Sequence, residues 1–247
     1  LRAADRVKWV IGEFKATTFE ELFQQTKKLP WQDILPVNAS FPVLGRSVKS
    51  TLFSISDCQA IVKKAIVEKL KESYKQEWFK EEGPRFMIEV SLLKDIATIT
   101  IDTSGTGLHK RGYRYLHNEA PMKETLAAGL ILISRWKHNI PLIDPLCGSG
   151  TIPIEAAMIG QNIAPGINRE FDFQYWPLYK QEWFNQAVQE AEDLAEYDRK
   201  LEILGADIDP ESVKLSEHNA QEIGLHHSIR FIQQDVKRTR SQHEYGY

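Results

Sequence analysis

The stretch from Ile143 to Ala156, Ile-Asp-Pro-Leu-Cys-Gly-Ser-Gly-Thr-Ile-Pro-Ile-Glu-Ala, constrains the fold more than any other part of this chain. Leu142 and Ile143 read as a short apolar strand that ends at Asp144. Gly148 and Gly150 then permit a tight turn, and a helix is predicted to open at Thr151. Glycine lets backbone approach a ligand closely, and the helix start beyond carries N–H groups with no intrahelical partner. The turn has no third glycine, and Pro153 stands at the helix-packing position. That weighs against a nicotinamide or flavin dinucleotide, whose pyrophosphate wants Gly-x-Gly-x-x-Gly. Taken alone, the turn also fits a strand-to-helix connection that holds nothing.

Strand and helix keep alternating after this point. Strands are predicted at Leu142 to Asp144, Ile203 to Asp207 and Ile229 to Gln233, with helices at Thr151 to Ile159 and Glu211 to Ile223. Strands separated by helices argue a parallel, doubly wound sheet. Asp209 is a plausible N-cap, Pro210 takes the first helical position and Gly224 closes that helix. Lys123 to Trp136 reads as a strongly apolar helix leading into the sheet.

The first hundred residues follow another pattern. Val7 to Phe14 reads as a strand, Thr18 to Lys28 as a helix, and Phe41 to Ser50 as extended. Ser56-Asp57-Cys58-Gln59 fits a capping box. The helix it starts carries an apolar stripe of Cys58, Ile61, Val62, Ala65, Ile66 and Leu70. Arg85 to Leu93 and Ile96 to Thr103 form a hairpin around Lys94-Asp95. In the second of these strands Ala97, Ile99 and Ile101 make an apolar face, opposite a mostly polar one. This is an α+β arrangement, and 247 residues suffice for two cores. The expected division is an α+β domain over 1–104, a basic glycine-containing linker over 105–119, and an α/β domain over 120–247.

Three acids stand at strand ends, where ligands bind in open α/β sheets. Asp144 precedes the glycine turn. Asp207 ends the second core strand, with Asp209 two residues on, and an ionised carboxylate there can accept both hydroxyls of a ribose. Asp235 follows the third strand, placed to accept a hydrogen bond from an exocyclic amine such as that of adenine. An acid after a strand is most often a helix cap. Three in succession are harder to assign to chance.

These strings, together with Ser47 to Ser54, Asp57 to Ala65, Ile101 to Gly105, Leu108 to Arg114 and Ala120 to Ala128, resemble the bacterial THUMP-domain methyltransferases related to the large-subunit rRNA guanine-N2 enzymes. Some of that family have been labelled adenine-specific DNA methylases. The resemblance implies a Rossmann-like methyltransferase domain, truncated here, after a partial THUMP-like domain. It implies S-adenosylmethionine (SAM) as cofactor at Asp144, Gly148 and Gly150, its ribose at Asp207, and its adenine near Asp209 and Asp235. Glu124 and Thr125 would border the methionine end, and Leu146 and Thr151 complete the expected set. The expected partner is RNA, foremost rRNA, in the cytoplasm. The reaction would be direct in-line transfer from the sulfonium to an exocyclic amine, guanine N2 before others. The alternatives are an adenine-N6 DNA methyltransferase and a non-catalytic RNA-binding module.

Family members also carry Asn-Pro-Pro-Tyr shortly after the position of Tyr247. The motif accepts the amine's N–H bonds and stacks on the extruded base. It is not in this sequence, so no catalytic residue is assigned. The start without methionine points the same way, to a fragment.

A net charge of −3 gives no general nucleic-acid signature, so RNA contact must come from a local patch. The candidates are Lys110, Arg111 and Arg114, interleaved with His109 and Tyr113, together with Lys49 and Lys63. Lys63 also reads as the solvated side of an amphipathic helix. Cys58 and Cys147 suggest neither a disulfide framework nor a zinc site. Cys147 could be a nucleophile, but no paired base is visible, and a small buried Cys is the commoner state. The aromatics from Phe171 to Phe184 fit packing better than base stacking. No apolar run is long enough to span a membrane.

Overall fold

The computed structural model describes residues 1–114, 121–241 and 243–247. Part of the expected linker, and Ala120, lie outside the described residues. The chain forms two compact units: Arg6–Thr106 with Glu170–Gln181, and Leu1–Asp5 with Gly107–Arg169 and Glu182–Tyr247.

The first unit contains β1 (Lys8–Lys15), α1 (Phe19–Lys27), α2 (Trp31–Ile34), β2 (Val43–Val48), α3 (Ile55–Tyr74), β3 (Met87–Leu93) and β4 (Ile96–Asp102). Its sheet runs β1-β4-β3-β2. β4 is antiparallel to β1 and β3, and β2 is parallel to β3. The β3–β4 hairpin turns at Lys94 and Asp95, both at positive φ (51° and 64°), the conformation that matches the right-handed twist of the strands. Ala97, Ile99 and Ile101 are fully buried, as their alternation requires. The other face of β4 is less wet than expected, because Thr100 and Asp102 are buried too. Asp102 takes an ion pair from Arg6 and a hydrogen bond from the Ser104 N–H.

The expected capping box at Ser56 does not form. α3 starts at Ile55, after Ser54, with no side-chain cap. The box lies on α1 instead. There the Thr18 hydroxyl accepts the Glu21 N–H at 3.2 Å and the Glu21 carboxylate accepts the Thr18 N–H.

The segment from Glu170 to Gln181 joins this first unit although it follows the glycine-turn helix in sequence. Trp176 stacks on Phe86 with centroids 4.6 Å apart, and its indole N–H donates to the Arg85 carbonyl at 2.9 Å. Gly105 makes room for it. A Cβ there would fall 2.3 Å from the Asp172 carboxylate, and its φ is +71°. Trp176 and half-buried Phe173 are therefore packing material for the front sheet's core, whereas Tyr175 and Trp183 are exposed.

The second unit contains α4 (Glu124–Ser134), β5 (Leu142–Asp144), α5 (Thr151–Gly160), α6 (Gln181–Asp193), β6 (Ile203–Asp207), α7 (Pro210–Glu222) and β7 (Arg230–Gln233). β5, β6 and β7 form a parallel sheet in that order. Asp209 caps α7 and Gly224 follows it at φ +73°. Tyr247 pairs with the free edge of β5, donating to the Pro141 carbonyl at 3.0 Å and accepting from the Ile143 N–H at 2.7 Å. Its core gathers Ile131, Leu142, Ile154, Ile203, Ala220 and Ile229. Among the described residues no helix is long and apolar enough to cross a membrane.

Candidate functional site

Strand alternation and the β6 register bring the three strand ends together on Asp207. Its Oδ2 accepts the Gly148 N–H at 2.9 Å, its Oδ1 accepts the Asp209 N–H at 3.0 Å, and its backbone carbonyl accepts the Gln234 N–H at 2.8 Å. One residue thus ties the glycine turn, the start of α7 and the exit of β7. The Cys147 N–H adds a backbone bond to the Ala206 carbonyl at 2.9 Å.

The two turn glycines serve different needs. Gly148 sits at φ +53° with nothing within 4 Å of where a Cβ would be, so the space above the turn is open. Gly150 sits at φ +79°, and a Cβ there would lie 2.8 Å from Ser216 and 3.1 Å from the Phe231 ring. A Gly150→Ala change should therefore destabilise the second unit by about 2–4 kcal/mol, from left-handed strain plus overpacking. Gly148→Ala carries only the strain, about 1 kcal/mol, but fills the open space. Denaturant unfolding separates the two. Equal losses would contradict this division of roles.

Asp144 is half-buried and accepts the Leu146 N–H at 3.2 Å. Burial pushes its carboxyl above the usual range, the Leu146 N–H pulls it down, and neighbouring Asp207 adds to the rise. Asp209 is exposed and caps α7. It accepts the Glu211 and Ser212 N–H groups and the Ser212 hydroxyl, which hold its carboxyl below the usual range. Asp235 caps a short 3-10 turn with one oxygen, accepting the Lys237 N–H at 2.9 Å. Leu146 and Ile208 leave apolar side chains 67% and 61% exposed beside these acids.

Cys147 has the surroundings of a structural thiol rather than of a nucleophile. Burial, then Asp144 and Asp207, push its thiol up to about 12. At pH 8 roughly one thiol in ten thousand would be ionised, and the thiolate is the reactive form. Alkylation of the native chain should therefore leave Cys147 unmodified, with the slow residual rate rising about tenfold per pH unit from pH 7 to 9. Rapid labelling at pH 7 would contradict this.

Behind the turn lies a buried ion pair that sequence reading assigned otherwise. Arg111, expected on an RNA surface, is 3% exposed. Its guanidinium meets fully buried Glu155 at 3.3 Å and donates to the carbonyls of Leu108 and Arg2. Every donor it turns inward is lost to phosphate. Tyr113, expected beside it on that surface, is fully buried, and its hydroxyl donates to Glu155 at 3.3 Å. Burial holds the Glu155 carboxyl above its usual range despite Arg111.

Arg114 is mostly internal as well. It pairs with Glu124 at 2.8 Å and donates to the Met122 carbonyl and to the Thr151 hydroxyl at 3.3 Å. It thereby ties the start of α4 to the start of α5. Glu124 and Thr125 are both buried, and Thr125 donates to Asp5 at 2.6 Å. Lys63 is partly spoken for, with its ammonium 3.8 Å over the Phe41 ring and 2.6 Å from Glu81. Lys49 and Lys110 are exposed, and among the described residues neither is in an ion pair.

Residues 111–247 match the family of RMKL-like methyltransferase domains, and residues 16–102 match the THUMP domain. The chain belongs to the RMKL-like methyltransferase family. It is 52% identical, over its whole length, to 64% of "Putative RNA methyltransferase YpsC" of Bacillus subtilis. It is 33% identical, over 95% of its length, to 34% of the large-subunit ribosomal RNA methyltransferase K/L of Buchnera aphidicola. A Listeria monocytogenes crystal structure described as a "predicted N6-adenine-specific DNA methylase" superposes with a TM-score of 0.95 at 56% identity, covering all of this chain and 65% of that one. SMU.472, "a putative methyltransferase complexed with SAH", gives 0.91 at 46% identity, covering 98% of this chain and 64% of that one. This RMKL-like chain therefore spans about two thirds of the length of YpsC and of these two solved structures, and about one third of the Buchnera protein.

Proposed function

We propose that this chain is the THUMP and cofactor-binding part of a SAM-dependent RNA methyltransferase that acts on an exocyclic base amine. The observation that carries the reading is the convergence of three strand ends on Asp207, over a turn whose Gly148 opens on free space. The residues fit the cofactor. Each Asp207 oxygen spends one lone pair on a backbone N–H and keeps another for a ribose hydroxyl. Of the two acids expected near adenine, Asp209 gives three hydrogen-bond acceptances to its helix and Asp235 only one, so Asp235 is the acceptor proposed for the amine. Leu146 and Ile208 offer apolar surface to the ring. Glu124 and Thr125 line the methionine end, and Gly150 and Thr151 set the pitch of the turn. When bound, SAM supplies a methyl group made electrophilic by its sulfonium.

The likeness to YpsC favours RNA, and that to the ribosomal K/L enzyme favours large-subunit rRNA; guanine N2 is the amine proposed, on the family resemblance of the sequence alone. Lys49 and Lys110 remain the phosphate contacts, with Lys63 and Arg114 in part. The Listeria neighbour's description keeps adenine-N6 methylation of DNA as a second reading. Fluorescence anisotropy of this chain against deproteinised rRNA fragments and duplex DNA decides between them. At least tenfold tighter binding to RNA, measured at fixed salt, is expected; a preference for duplex DNA would reverse the assignment.

A further inference from the structure

The parallel sheet has a second face that the cofactor does not use. Leu142, Ile203 and Ile229 turn inward, to a core shared with Ile154 of α5 and Ala220 of α7. Side chains alternate along a strand. The next row, in which Ile143 pairs with Leu204 and Leu204 with Arg230, therefore faces the other way. A cavity of about 410 Å³ opens there, between the starts of the three strands and the side chains of Arg240, Ser241 and His243. The glycine turn and Asp207 stand at the opposite ends of the same strands.

The polar lining of this cavity is rich in donors. Arg240 gives Nη1 to the carbonyls of Lys237 and Thr239, at 3.1 and 2.7 Å. Those bonds hold the guanidinium in place and leave Nε–H and Nη2, the edge that grips a phosphate through two parallel hydrogen bonds. The Ser228 hydroxyl accepts a Gln161 side-chain N–H at 2.9 Å, and the Ser241 hydroxyl accepts the His243 backbone N–H at 3.0 Å. Each hydroxyl therefore keeps its own proton to donate. Arg230 is exposed, with no hydrogen bond or ion pair among the described residues. Glu202 is the only acid among the described lining residues, and it faces His243 Nε2 at 3.0 Å rather than either arginine.

A lone surface arginine is usually just solvated. Here two arginines, two hydroxyls with protons to give and an acid already engaged surround one concavity. That donor set fits an anion, and Ile143 and Leu204 supply an apolar floor beside it, the mixture typical of small-molecule sites. We propose that this cavity binds a phosphate group of a nucleotide, gripped by Arg240 and Arg230, at the end of the sheet away from the glycine turn. The phosphate belongs either to a free nucleotide or to an RNA strand. The site stands independently of the cofactor reading.

The test is calorimetry of the chain with guanosine 5′-monophosphate and fluorescence anisotropy with a single-stranded rRNA fragment. Arg230→Gln with Arg240→Gln removes both cations from exposed positions. Lys137→Gln with Lys214→Gln removes the same charge from exposed positions outside the cavity. The arginine pair should weaken at least one ligand tenfold or more, and the lysine pair should weaken neither more than threefold. A loss confined to guanosine monophosphate assigns a free nucleotide. A loss with RNA, accompanied by a salt slope smaller by about 0.7 for each phosphate contact removed, assigns the strand. Saturating S-adenosylhomocysteine should leave guanosine monophosphate binding unchanged. Competition between those two, equal effects of the two variant pairs, or no binding of either ligand by the unaltered chain would overturn the site.

Discussion

Asp207→Ala should weaken SAM binding by about 100-fold or more, since two hydrogen bonds to a charged carboxylate are each worth about 1.5–3 kcal/mol and 1.4 kcal/mol is tenfold. The change acts twice. It removes the acceptor for the ribose hydroxyls, and it frees the Gly148 and Asp209 N–H groups that the carboxylate holds at 2.9 and 3.0 Å. Asp207→Asn separates the two effects. The amide oxygen can still accept one backbone N–H, but the amide nitrogen cannot accept the other. Its loss should fall between wild type and alanine. Calorimetry with SAM reads both, and unchanged affinity in the alanine variant would remove Asp207 from the site.

The largest effect on stability is expected at Arg111. Arg111→Met leaves Glu155 fully buried and uncompensated, and breaking a buried pair from one side costs about 3–5 kcal/mol. The double change Arg111→Met with Glu155→Leu should recover much of that loss, because two apolar side chains leave no charge to compensate. The single variant should also depend on pH in a defined sense. Burial already raises the Glu155 carboxyl in the folded state, and loss of Arg111 removes the charge that pulls it down. Below the unfolded carboxyl's pKa, about 4.3, both states are protonated and the variant is least impaired. As pH rises toward the higher folded pKa, the unfolded state ionises first and stability falls. Denaturant midpoints at pH 4 and pH 7 check this. A deficit that is constant across that range would mean Glu155 stays charged without its partner.

Much of the second unit was legible because its signals are local. Asp209, Pro210 and Gly224 mark α7 by chemistry that acts within one turn, and they do so in the structure. The strands at Leu142–Asp144 and Ile203–Asp207 are bounded by the residues that end them. The positive φ at both turn glycines follows from what glycine alone adopts easily. The three acids were legible as a set, since each stands where a parallel strand stops.

Other features were not local and could not be read from the chain. The basic cluster at 110–114 looks like a surface patch in sequence. Arg111 is drawn inside because Glu155, 44 residues later, needs a counter-charge where water is excluded, and Arg114 is drawn to Glu124 and Thr151 in the same way. Trp176 reads as part of an aromatic insertion, but it stacks on Phe86 and donates to the carbonyl of Arg85, 91 positions earlier in the chain, a separation that only folding closes. Sequence by itself determined where strands stop, which turns need glycine and which acids stand at the sheet's ligand-binding edge, because those follow from backbone sterics and side-chain chemistry over a few residues. Only the tertiary structure decided which charges are buried, which carboxylate gathers the site and which core receives the insertion, because desolvation and pairing depend on residues brought together from distant parts of the chain.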